Sequence, residues 1–100
     1  MNVLNEADKL VNEDRQEIYG HPAEDFAKIS HMTKPITESN IDPRLKHALY
    51  MIQVKVARLL NTPDHIDSIV DLAGYTKTYH MVLTKIEEEK HDTHLEEMPF

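Results

Sequence analysis

Apolar residues in this chain recur at intervals of three and four, and the chain holds only two glycines and no Asn-Gly or Asp-Gly dipeptide. The spacing matches one face of an α-helix, and without hairpin turn chemistry a sheet has no ready way to reverse direction. An all-α fold is therefore expected. One hundred residues make one small domain whose core contributes only modestly to stability, so a homodimer or higher homo-oligomer is expected as well.

The periodicity predicts four helices. The first runs from about Val3 to Ile18, with Val3, Ala7, Leu10, Val11 and Ile18 on one stripe, and ends at Tyr19-Gly20, where Gly accepts the left-handed conformation. The second spans about Pro22 to Met32, with Pro in its first turn and Glu24 and Asp25 at the end where the helix dipole favours acids. Phe26, Ile29 and Met32 form its buried edge. "TKPITESNI" reads as a loop. Asp42 caps the third helix ahead of Pro43, and Leu45, Ala48, Leu49, Ile52, Val56 and Leu59 give it a persistent apolar face as far as Asn61.

Asp64 is placed to cap the fourth helix, with Asp67 at the third helical position and apolar residues from Ile66 to Ile86 carrying it to about Glu88. Gly74 in its middle costs roughly 1 kcal/mol relative to Ala, which predicts that another backbone or a ligand approaches closely there. The short link between the third and fourth helices makes them antiparallel. The result is a small four-helix bundle with a C-terminal helical hairpin, a single helical domain over 1–88 and an acidic, flexible tail over 89–100.

Composition narrows the function. Without Cys there are no disulfides, no thiolate catalysis and no Cys-ligated zinc, which suits a reducing compartment. No leader opens the chain and no stretch nears the roughly 20 apolar residues that span a bilayer, so a cytoplasmic protein is expected and no membrane partner. The charge of -7 is mostly local: from Glu87 onward six acidic residues stand against one Lys. The nearly neutral body has room for a small basic pocket but not for the broad basic face that duplex DNA requires.

The chemistry-bearing residues concentrate between Met51 and Tyr79. Lys55 and Arg58 lie one turn apart on the third helix, and Asp67 and Asp71 one turn apart on the fourth. In an antiparallel hairpin the two pairs approach each other, and interhelical ion pairing is what the spacing alone supports, since buried charges need partners.

This order of positions resembles the MazG-like all-α nucleoside triphosphate pyrophosphohydrolases, whose helix pairs carry carboxylates that hold Mg²⁺ against a substrate pyrophosphate. On this chain the first carboxylate pair falls at Lys55 and Arg58 and the second at Ser68 and Asp71, so only Asp71 is retained. The resemblance thus implies a MazG-like fold whose metal chemistry is gone or relocated, with Lys and Arg meeting phosphate oxygens directly. A second resemblance runs from Arg15 to Tyr75. "RQEIYGHPAEDFAKI", "VKVARLL" and "DHIDSIVDLAGY" look like a family of small tailed-phage domains, matched at Arg15, Tyr19, Gly20, Asp25, Phe26, Lys55, Arg58, Asp67, Asp71, Gly74 and Tyr75. It implies a phage origin and a small helical bundle.

Together these residues give a candidate ligand site of Arg15, Tyr19, Lys55, Arg58, Asp67, Asp71 and Tyr75, with a Tyr ring stacking on a base and the cations on phosphates. The leading expectation is a nucleotide or other phosphorylated small molecule, bound without cofactor or catalytic residues and sequestered from host defence or metabolism. One alternative is a Mg²⁺-dependent pyrophosphohydrolase using Asp67, Asp71 and Glu24 or Asp25. Another is an interaction module directed at a host protein. His65-x-Asp67 and His91-x-x-His94 are the best metal spacings, but no further ligand completes a tetrahedral zinc site, and Ser30, Ser39 and Ser68 lie in no nucleophile context.

Overall fold

The structure, a computed structural model, describes the backbone of residues 2–97 and, within it, the side chains of all but 12–14 and 92–97. It is all-helical among the described residues. Helix α1 (Val3–Lys9) passes without a break into a π-helical segment (Leu10–Arg15) and then α2 (Gln16–Tyr19). Three longer helices follow: α3 (Pro22–Thr37), α4 (Pro43–Asn61) and α5 (Ile66–Glu97).

The sequence accounts for most boundaries. The Asn2 side chain accepts from the N–H groups of Leu4 and Asn5 to cap α1, and Asp42 accepts from the Arg44 N–H to cap α4 ahead of Pro43. Gly20 ends α2 at φ +79° while its N–H bonds to the Gln16 carbonyl. At α3 the cap is His21, whose Nδ1 accepts from the Ala23 N–H at 3.1 Å.

Several expectations are corrected. The stripe on the first helix is buried only in part: Val3, Ala7 and Leu10 are exposed while Val11 and Ile18 are half-buried, and among the described residues α1 packs against the π segment alone. Helix α3 continues through Pro35 to Thr37 where a loop was expected. A proline costs one backbone bond there, and around it Thr33 is buried with its hydroxyl donating to the Ile29 carbonyl at 2.7 Å. Thr37 and Ser39 hydroxyls donate in turn to the Lys34 and Ile36 carbonyls. Asp64 lies in the exposed turn before α5; the residue ahead of that helix is His65, whose carbonyl takes the Ser68 and Ile69 N–H groups. Helix α5 runs past Glu88 to Glu97, so the acidic stretch is helical that far, and positions 98–100 of the expected tail lie outside the described residues.

Helix α4 is the centre of the molecule, touching α2, α3 and α5. Its Val54 and Ala57 cluster with Ile29 of α3, with Met32 and Tyr50 packed against them, while Leu45 and Ala48 of α4 and Ile86 of α5 are also buried. This is a thin core. The long α5 packs against α4 and leaves Ile66, Ile69, Val70 and Met81 exposed, and the whole measures 65 × 32 × 24 Å.

Candidate functional site

The four charges expected to form one cluster divide into two arrangements. Lys55 is 7% exposed, and its Nζ pairs with the half-exposed carboxylate of Asp71 at 3.0 Å, joining α4 to α5. A buried ammonium needs such a partner, and this pair is the interhelical clamp that the spacing predicted. Arg58, one turn further along α4, turns instead to the opposite neighbour. Its guanidinium carbon lies 4.4 Å from the centroid of the Tyr19 ring, a cation–π contact, and the guanidinium carbon of Arg15 lies 5.9 Å from the same centroid.

Local chain geometry holds this arrangement. The Thr62 N–H closes α4 on the Arg58 carbonyl at 2.8 Å, and the side chains of Asn61 and Thr62 both donate to the Ile18 carbonyl at the end of α2. Tyr19 is thereby pinned beside the last turn of α4. At Gly20 a Cβ would sit in the left-handed region and 3.3 Å from Asn61 Oδ1, so the α2-to-α3 turn and the α4 terminus fit only around glycine. The wide π turn ends at Arg15, immediately ahead of α2, as such turns frequently do beside functional residues. On the far side of Tyr19, the His65 ring meets it edge-on at 5.9 Å while His65 Nδ1 lies 2.7 Å from Ser68 Oγ. Ser68 is 1% exposed, so this contact fixes the start of α5 rather than presenting a hydroxyl to solvent.

A pocket of about 330 Å³ opens on the Tyr19 side, lined by Val11, Arg15, Tyr19, Gly20, Pro22, Asp25, Phe26 and Arg58. Its volume lies at the small-ligand end of the range of binding clefts. Two features of its wall are unusual. Asp25 is 8% exposed, yet among the described residues its Oδ1 has no hydrogen-bond partner, and the buried Nε of Arg58 has none either. Phe26, expected on the buried edge of its helix, is 67% exposed at the pocket. The matching pattern contained both residues, but periodicity assigned them to a dipole and a core face.

Of the seven predicted site residues, Arg15, Tyr19 and Arg58 come together. Lys55 and Asp71 form the clamp. Asp67 is exposed on the first turn of α5, and Tyr75 lies apart, between a hollow with Pro43, Arg44, His47, Ala48, Thr78 and Val82 and a shallower one with Val70, Asp71, Gly74 and Thr78. No other part of the protein approaches Gly74 among the described residues, since a Cβ there would meet nothing within 4 Å, which removes, within this chain, the backbone half of the expectation at that glycine. With Asp71 held by Lys55, the magnesium set of Asp67, Asp71 and Glu24 or Asp25 is not assembled, and among the described residues no three His, Asp or Glu are grouped to hold a metal ion. No helix among those residues is long and apolar enough to cross a membrane.

Residues 2–83 match the family described as Domain of unknown function (DUF6378). The chain belongs to this family. The chain is also similar to phage proteins: the "Gene 55 protein" of Mycobacterium phage D29 is 38% identical over 73 residues, covering 73% of this chain and 48% of that protein. The "Gene 55 protein" of Mycobacterium phage L5 is 29% identical over 75 residues, 75% of this chain and 48% of that protein. The chain spans about half the length of the curated relatives it matches. No solved structure matches it. The phage context implied by the second resemblance is thus found in the relatives, and the DUF6378 match covers the π segment, α2 and all of the pocket residues.

Proposed function

We propose that this DUF6378 chain is a phage-encoded protein that binds a nucleotide or other phosphorylated small molecule in the pocket of Arg15, Tyr19 and Arg58, without a metal-dependent step, and withholds it from host defence or metabolism. One observation carries the reading: the Arg58 guanidinium rests on Tyr19 inside a pocket that also holds Arg15. A stacked guanidinium keeps its N–H edge free, and that edge suits phosphate oxygens in a bidentate manner. The exposed Phe26 ring offers the stacking surface first assigned to Tyr19, whose own face Arg58 occupies. Lys55 is not part of the site, because Asp71 neutralises it.

A MazG-like arrangement belongs to the same reading, with basic residues of the α4–α5 hairpin standing where those enzymes carry carboxylates. So does self-association in the host cytoplasm, supported by the exposed apolar side chains of α1 and α5. The test is a thermal-shift screen against mono-, di-, tri- and cyclic nucleotides with and without Mg²⁺, since a ligand that binds only the native state raises its apparent stability. A rise without metal is expected. A rise that requires Mg²⁺ would favour the pyrophosphohydrolase, and no rise with any nucleotide would overturn the reading and leave a host protein as the partner to seek.

A further inference from the structure

We infer that α5 pairs with α5 of a second copy of this chain, antiparallel and crossing at Gly74. A glycine inside a long helix lowers its stability and calls for a close approach by something else. No contact among the described residues supplies one, because a Cβ at Gly74 would meet nothing within 4 Å. Instead Gly74 floors a hollow of about 370 Å³ walled by Val70, Asp71, Tyr75 and Thr78. Asp71, Gly74, Tyr75 and Thr78 stand at i, i+3, i+4 and i+7, the four corners of the hole into which a facing helix inserts a side chain. Thr78 suits a dry contact there, since its hydroxyl already donates to the Gly74 carbonyl at 3.0 Å. Tyr75 and Thr78 also line a second hollow that reaches His47 and Ala48 of α4, so the surface continues along the hairpin. It shares no residue with the Arg58 pocket, and the pairing does not depend on a nucleotide there.

The order of charge identifies the occupant as a second copy. Between Ile66 and Ile86 the only acids are Asp67 and Asp71 and the only Lys or Arg are Lys77 and Lys85, acids first and bases second. Asp67 and Lys85 are exposed, and neither forms an ion pair within 4.0 Å among the described residues. Positions 67, 71, 74, 78, 81 and 85 alternate in steps of four and three and so form one stripe on α5. When that stripe meets itself reversed, Asp67 falls opposite Lys85, Gly74 opposite Thr78, and Asp71, whose carboxylate Lys55 already holds, opposite Met81. Each contact occurs twice about a two-fold axis. Val70 and Met81, 61% and 60% exposed, come together on either side of the crossing, where glycine lets the two backbones approach. A parallel pairing would instead set Asp67 against Asp67 and Lys85 against Lys85, which repel.

Sedimentation equilibrium of the full chain and its variants tests this. The native chain should be a dimer, and Gly74→Leu a monomer of undiminished helix content, because leucine is the better helix former and its Cβ has open space in the single chain. Asp67→Lys and Lys85→Asp should each raise the dimer dissociation constant roughly 10-fold, and the chain carrying both should recover the native value. Recovery is specific to the reversed pairing, since parallel copies would keep like charges opposed in every variant. A native chain that stays monomeric, or a Gly74→Leu dimer as tight as the native one, would overturn the pairing. Charge reversals that leave the dissociation constant unchanged, or that fail to rescue one another, would overturn the antiparallel register and the inference with it.

Discussion

Lys55 and Asp71 illustrate how one ion pair is worth different amounts from its two ends. The ammonium is buried and the carboxylate half in water, so removing the acid strands a charge inside the α4–α5 contact, whereas removing the base leaves a carboxylate that water can solvate. Asp71→Ala is expected to destabilise the chain by about 1–3 kcal/mol in chemical denaturation. Lys55→Met should cost less than Asp71→Ala, because the long apolar stem of Met fills the same volume. Equal losses from both would mean that the pair contributes through attraction alone. At this scale the sequence was informative about chemistry and silent about partners. Turn spacing placed Lys55 and Arg58 on one side of a helix, but a rotation of a few tens of degrees separates facing α5 from facing α2, and that depends on packing. Phe26 departs from its reading for a related reason: an aromatic at core spacing has an ordinary explanation, and only its exposure contradicts it, whereas Asp25 stands in the first turn of α3 as its position predicts and adds a burial that spacing does not signal.

At the level of elements, the α4–α5 hairpin is fastened a second time near its open end. Arg44, on the first turn of α4, donates through Nε and Nη2 to both carboxylate oxygens of Asp42, and through Nη1 and Nη2 to both oxygens of Glu89 on α5, all at 3.0 Å. Hydrogen bonds from Arg44 hold both carboxyls below their usual range. Groups with lowered folded-state pKa values bind protons more readily when unfolded. Their contribution is therefore complete above the ordinary carboxylate range and disappears as pH falls through the lowered values. Because the network is exposed, the effect is modest and salt-sensitive. Melting followed from pH 6 to pH 2 should show the native chain losing its advantage over Arg44→Gln as the acids protonate. A constant difference between the two across that range would contradict this account. Helix identity was legible from periodicity, Pro placement and caps. The boundaries that failed were those set by tertiary contact: α3 passes Pro35 because Thr33 is buried beyond its middle, and α5 passes Glu88, where Glu89 is tied back to α4. The π segment had no signal in the apolar spacing.

As a whole molecule the chain is extended for its size. Its radius of gyration is 18.7 Å, against roughly 13 Å for a compact domain of this length. The excess comes from a 32-residue helix lying on shorter ones and from α1, which among the described residues packs against the π segment alone. Small cores with uncovered apolar helices are completed by other chains, and a second copy is the partner expected here. Light scattering should give at least twice the 11.6 kDa chain mass, and Val70→Asp on the exposed side of α5 should lower it without loss of helix content. A monomer at all concentrations would contradict the expectation and leave these faces for a different protein.

If Arg58 and Tyr19 frame a phosphate-ligand pocket, its occupant must perturb both residues in an NMR titration. The Nε–H signal of Arg58 reports on a buried donor that has no partner among the described residues. Adding a nucleotide without Mg²⁺ is predicted to move the Arg58 and Arg15 Nε–H signals and the Tyr19 and Phe26 ring signals, while the Lys55 and Asp71 region stays still. Saturable binding that leaves Arg58 unmoved and shifts only the surroundings of Tyr75 would contradict the account.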